Sequence, residues 1–158
     1  MPLDEILNYV QLTARVGTSG QPTPEQLKEI AGAGYQAVIN LALPTSDNAV
    51  PDEGGHVTRL RLAYFQIPVL FDAPSAADLR TFVGVMRALE DRRVWVHCAM
   101  NLRVSAFMYH YLRHDLGLPE AEARSPVLAK WEPRMDEVWR RFLALTPAEI
   151  GLPPRAPG

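Results

Sequence analysis

Three short and nearly unbroken apolar runs constrain this chain most: YQAVINLAL at 35–43, YFQIPV at 64–69 and VWVHC at 94–98. Runs of this length and composition read as strands covered on both faces, the pattern of a parallel sheet. Segments with helical spacing separate them. In TPEQLKEIAGAG, Thr23 fits an N-cap, Pro24 the first helical position, and Gly32 and Gly34 the end of the helix. After DAPS, Ser75 can cap a second helix whose apolar positions Leu79, Phe82, Val83, Met86 and Leu89 recur on one face. Strand and helix in alternation predict an α/β fold with a central, mostly parallel sheet flanked by helices.

The remaining segments fill in this plan. A short helix near the start leads to an edge strand at Leu12 to Val16, followed by a turn built from Gly17, Ser19, Gly20 and Pro22. Residues 44–55, PTSDNAVPDEGG, form a loop long enough to reach over a site, and a short helix follows in HVTRLRL. From Val104 the positions Val104, Phe107, Met108, Tyr111 and Leu112 form one helical stripe. The last third is helical, with Met135, Val138, Trp139, Phe142 and Leu143 on one face, and Trp131 and Trp139 serve as core anchors rather than base-stacking platforms. We expect a single domain over residues 1–150 and a flexible Pro/Gly-rich tail at 151–158.

With 158 residues, 47% of them hydrophobic and 22% charged, the chain is neither disordered nor membrane-like in composition. A net charge of -2 argues against nucleic acid as the main partner, since backbone phosphates call for clustered basic charge. No apolar run approaches the roughly 20 residues of a membrane span, and MPLDEILNYV lacks a basic segment followed by an apolar one, so the expected location is cytoplasmic. A single cysteine forms no internal disulfide and no multi-cysteine metal site; neither a metal nor a cofactor is expected. His110 and His114 are four apart, but without an intervening glutamate of the metalloprotease kind they read as surface or core residues. Oligomeric state leaves no mark in the sequence.

The chemistry concentrates in VHCAMNLRVS, 96–105, where a strand end becomes a helix start. Such a junction aims backbone N–H groups at one point, and the helix dipole adds partial positive charge there. A thiolate at Cys98 is favoured in that field and by cationic neighbours such as His97, and Arg103 offers a bidentate fork for phosphate oxygens.

Those residues resemble the signature of the cysteine-dependent protein tyrosine and dual-specificity phosphatases: His-Cys, five residues, Arg, then Ser or Thr. The likeness is nearest to bacterial tyrosine-phosphatase-like proteins with an SGQPT motif. Here that pattern runs through Ser19 to Leu27, Gly34, Tyr35, Val38 to Leu41, Ile67 to Val69 and VHCAMNLRVSAF, covering about 12–115. The resemblance implies the phosphatase fold and a phosphorylated protein or small molecule as substrate. It also implies Cys98 as the nucleophile, Arg103 as the phosphoryl clamp, His97 as the group tuning the thiol, and Ser105 as the hydroxyl assisting thiolate departure. The amides of Ala99, Met100, Asn101, Leu102 and Arg103 would line the phosphate cradle, and Asp72 would be the general acid, with Asp47, Asp52 and Asp78 as alternatives.

One departure stands out: four residues rather than five separate Cys98 from Arg103, although Ser105 keeps its usual distance from the cysteine. The loop contains no glycine, and Asn101 is the position that best tolerates positive φ. A six-residue loop headed by cysteine also suits a rhodanese-like sulfurtransferase holding a persulfide. A non-catalytic phosphate- or partner-binding module on the same scaffold is the third reading.

Overall fold

The computed structural model describes residues 2–155, whose sheet has five strands in the order β1-β2-β5-β3-β4. These are β1 Val10–Gln11, β2 Val16–Ser19, β3 Ala37–Asn40, β4 Ala63–Gln66 and β5 Val94–His97. β1 runs antiparallel to β2, and the other pairings are parallel, giving the mostly parallel sheet the apolar runs predict. The helices are α1 Pro24–Gly32, α2 Glu53–Arg59, α3 Ala76–Ala88, α4 Leu102–His110, α5 Glu120–Ala123, α6 Pro126–Trp131, α7 Glu137–Leu143 and α8 Pro147–Ile150.

Alternation along the strands divides the interior between the two faces of the sheet. Val38 and Trp95 join Leu27 and Ile30 of α1 and Val57 of α2 in one cluster. Ala37, Ile39, Val94 and Val96 join Leu79, Phe82, Val83 and Met86 of α3, Phe107 of α4 and Trp139 of α7 in the other. The predicted caps are present: Thr23 forms a full capping box with Gln26, and the Ser75 side chain accepts from the Asp78 amide. Each such cap contributes about 1 kcal/mol.

Three local expectations fail for identifiable reasons. Residues 12–15 are not a strand; the chain turns there, and Gly17 to Ser19, expected as a turn, are buried in β2. Gly17 is needed in that strand because a Cβ would lie 2.6 Å from two carbons of the Trp95 ring. The 44–55 loop is shorter than expected, since α2 starts at Glu53 and brings that side chain inward. The last third is helical as expected, in several short pieces, but Val138, expected on the apolar face, is 41% exposed although Trp139 and Phe142 are buried.

Past α4 the helix continues as a π-turn over Tyr111–Asp115. Leu152 packs against the second cluster, Arg87 donates to the Pro153 carbonyl, and Arg155 pairs with Glu90 and Asp115. Of the tail expected to be flexible, Ala156 to Gly158 lie outside the described residues. Among the described residues no helix is long and apolar enough to cross a membrane.

Candidate active site

The parallel strands finish level: Ser19 and Asn40 both stand opposite His97, and Gln66 stands opposite Asn40. Open α/β sheets gather ligands beyond such carboxyl ends. The loop from Cys98 to Asn101 leaves β5 here and enters α4.

The loop's shape is imposed from outside. The Cys98 carbonyl faces His97 Nδ1 at 3.2 Å, the Ala99 carbonyl accepts from the Gln21 amide at 3.0 Å and from Asn48 Nδ2 at 3.1 Å, and the Met100 carbonyl accepts from Asn8 Nδ2 at 3.0 Å. In a trans peptide the N–H points opposite to the carbonyl of the same unit. Fixing these carbonyls therefore turns the N–H groups of Ala99, Met100 and Asn101 to the other side. Among the described residues, no amide from Ala99 to Arg103 donates to a protein acceptor. Asn101 takes the left-handed conformation at φ 69°, as its residue type suggested, and its Nδ2 donates to the Asn8 carbonyl at 2.8 Å. That side chain therefore braces the loop through Nδ2, while its buried Oδ1 has no partner among the described residues.

Arg103 is 6% exposed, and its Nη1 donates to the Val69 carbonyl at 2.9 Å. Its Cζ lies 5.6 Å from the Phe71 ring centroid, and its Nε is buried with no partner among the described residues. A buried guanidinium edge without an acceptor costs free energy unless an anion completes it. Arg103 lines a cavity of about 160 Å³ together with Cys98, Ala99, Met100, Leu102 and Phe71. It also borders a wider cavity of about 560 Å³, whose lining includes Asp47 and Asn48.

Behind the loop lies a polar set that the sequence did not reveal. Glu53 Oε2 is 2.6 Å from His97 Nε2, and Glu53 Oε1 accepts from Gln21 Nε2 at 2.6 Å. All three side chains are buried. Burial acts to raise the Glu53 carboxyl, but the hydrogen bond and charge of His97 and the Gln21 hydrogen bond outweigh it, and the group ends below the ordinary glutamate value.

The SGQP stretch acts here as support. Ser19 Oγ accepts from Trp95 Nε1 at 2.8 Å, Gly20 leaves room where a Cβ would sit 2.7 Å from the Ala99 carbonyl, and Gln21 links that carbonyl to Glu53.

The other named residues fall as follows. Ser105 Oγ donates to the Leu102 carbonyl at 2.7 Å within the first turn of α4. Asp72 is exposed, one residue beyond Phe71, and borders neither cavity. Asp52 precedes α2 and is 3.7 Å from Arg59, while Asp78 lies in the first turn of α3. His110 and His114 stack with centroids 5.3 Å apart, and among the described residues no group of three or more His, Cys, Asp or Glu could hold a metal.

A family described as a DSP-PTPase phosphatase fused to NAD+ kinase, PTP-NADK, matches residues 5–116. The chain belongs to the PTP-NADK family. Its matched span holds every loop and brace described above, and with its structural neighbours it places the chain in the cysteine-dependent DSP/PTP superfamily. This PTP-NADK chain is 29% identical over 103 residues to a beta-lactamase hydrolase-like protein of Xylella fastidiosa, matching 61% of this chain but 23% of that protein, so it spans about a quarter of that relative. A crystal structure of a DUF442 protein, named as a phosphatase, from Shewanella putrefaciens CN-32 superposes with a TM-score of 0.81 at 29% identity over 95% of each chain. The catalytic core of the PP-IP phosphatase SIW14 from S. cerevisiae shares the fold, with a TM-score of 0.69 at 11% identity over 92% of this chain and 90% of that one.

No pattern in the sequence singles out Asn8, Gln21, Asn48 or Glu53 as part of the site. Gln21 lies inside the SGQPT motif, where the flanking Gly20 and Pro22 signal a turn and not a buried side-chain contact. Glu53 was hidden in a polar stretch read as loop, and a carboxylate among loop residues carries no sign of burial.

Proposed function

We propose that this chain hydrolyses phosphomonoesters in two displacements on Cys98, with no metal taking part. In the first, the Cys98 thiolate attacks phosphorus, an S–P bond forms, the P–O bond to the leaving group breaks, and that oxygen takes a proton from a carboxylic acid. In the second, water attacks phosphorus and gives its proton to the same carboxylate. The S–P bond breaks, and phosphate and thiolate are released. The amides of Ala99 to Arg103 and the free edge of Arg103 meet the charge on the equatorial oxygens. Ser105, held at the start of α4, is the hydroxyl assigned to thiolate departure.

Asp47 is the proposed proton donor, because it lines the cavity that Arg103, Ala99 and Met100 share. Asp72, the position the resemblance indicates, is the alternative, carried on the turn next to Phe71. The observation that carries this reading is the buried, unpartnered Arg103 Nε beside amides that no protein acceptor takes.

The test is hydrolysis of p-nitrophenyl phosphate by the full chain, with vanadate inhibition and Cys98→Ser as controls. Turnover that vanadate blocks and Cys98→Ser abolishes supports the proposal. Thiocyanate formed from thiosulfate and cyanide, with a persulfide on Cys98 in the intact mass, would make the chain a sulfurtransferase. Phosphate binding with neither activity would leave a binding module.

A further inference from the structure

Both ring nitrogens of His97 face oxygens. Nδ1 meets the Cys98 carbonyl at 3.2 Å, and Nε2 meets Glu53 Oε2 at 2.6 Å. A carbonyl can only accept, so Nδ1 carries a proton. With Glu53 ionised, the state its lowered carboxyl favours, the oxygen opposite Nε2 also accepts, so the ring that satisfies both contacts carries two protons and a positive charge. The ring is fully buried and Glu53 is 6% exposed, so neither charge has bulk water to screen it. The pair is oriented with its cationic end next to the cysteine peptide and its anionic end away from it, on α2.

We propose that Glu53 is a positioning residue that keeps His97 doubly protonated, and that His97 in turn fixes the Cys98 carbonyl and favours the thiolate. This inference rests on the phosphatase reading for its catalytic consequence, but not for its test. The groups facing the pair are few. Gln21 donates to the other Glu53 oxygen. The Tyr64 phenol on β4 interacts with Glu53, and burial, then the Glu53 charge, push it upward, which keeps it neutral. On the loop side stands Cys98 itself, whose carbonyl meets Nδ1; Ser19 and Asn40, the strand neighbours of His97, do not titrate.

A glutamine at position 53 separates charge from shape. In Glu53→Gln the amide oxygen can accept from Gln21 and the amide nitrogen can donate to His97 Nε2, provided the ring is neutral and protonated only on Nδ1. Every hydrogen bond is then kept, and only the charged state of the ring is lost. Removing an opposite charge at this range moves a titration by about 1 pH unit or more.

The experiment measures Cys98 alkylation by iodoacetamide against pH in the full-length wild type and Glu53→Gln, a readout independent of phosphate chemistry. Wild-type 15N spectra of the imidazole are recorded alongside. We expect both His97 nitrogens to be protonated in the wild type at neutral pH. In Glu53→Gln the alkylation midpoint should rise by about 1 pH unit, with the melting temperature little changed, and Glu53→Asp should restore part of the shift. If the wild-type chain alkylates in this way but hydrolyses no phosphate ester, the phosphatase reading fails and this one stands. An unchanged midpoint in folded Glu53→Gln overturns it. So does a neutral His97 ring in the wild type, which decides the matter even if the variant does not fold.

Discussion

Arg103 is tied to Val69: its Nη1 donates to that carbonyl at 2.9 Å, two residues before Phe71, which forms a wall of the same cavity. The guanidinium is therefore fixed by the segment after β4, and its Nε has no partner among the described residues. Lysine can reproduce the charge but cannot bond Val69 and present a second donor edge together. Arg103→Lys should lower kcat/KM for an aryl phosphate roughly 100-fold or more. Steady-state kinetics checks this, and a loss under threefold would remove the clamp from Arg103.

The two candidate carboxylates, Asp47 in the cavity lining and Asp72 on the turn beyond Phe71, can be separated through the leaving group. Asp47→Asn should reduce kcat on an alkyl phosphate by about 100-fold or more, while affecting p-nitrophenyl phosphate far less, because nitrophenolate leaves without a proton. Asp72→Asn should stay within about twofold on both substrates if the acid is Asp47. The opposite pattern moves the proton donor to the turn beyond Phe71.

At Asn101 the backbone holds φ at 69°, a region that costs an alanine roughly 1 kcal/mol. Asn101→Ala and Asn101→Gly both lose the bond to the Asn8 carbonyl, but only alanine also bears that strain. Urea denaturation should find the glycine variant more stable by about 1 kcal/mol. Equal stability would mean that the loop relaxes out of this conformation.

The His110 ring is fully buried, and burial pulls its pKa down to about 4 from the ordinary 6.5, against the Phe142 carbonyl it meets at 2.8 Å. Between those values the unfolded chain binds the proton and the folded chain does not. Stability should therefore fall as pH drops from 6.5 towards 4, by roughly 3 kcal/mol at most. Glu53 acts in the same direction at lower pH, because its folded carboxyl titrates below the unfolded one and its contribution is lost as that group protonates. Urea midpoints measured from pH 7 to pH 4 should drop steeply in the wild type and less in His110→Gln. Parallel curves would contradict the burial argument.

The sheet was legible because buried parallel strands leave unbroken apolar runs, and the helices because caps such as Thr23 and Ser75 carry local signals. β2 was misread because its glycine looks like turn chemistry, when in fact it makes room for the Trp95 ring. The candidate loop announced itself through the spacing of Cys98 and Arg103. Its braces did not: Asn8, Asn48 and Glu53 lie 44 to 92 positions away from the residues they touch in the loop and at the end of β5, and no pattern in one sequence links positions so distant.

Because the cradle is bent by Asn8, Gln21 and Asn48 rather than by glycines of its own, it is not a portable cassette. Grafting the six residues from Cys98 to Arg103 onto another strand–helix junction would carry over the sulfur and the guanidinium without the curvature. Conversely, drift at any of those three remote positions can change the loop's curvature while leaving every residue from Cys98 to Arg103 untouched.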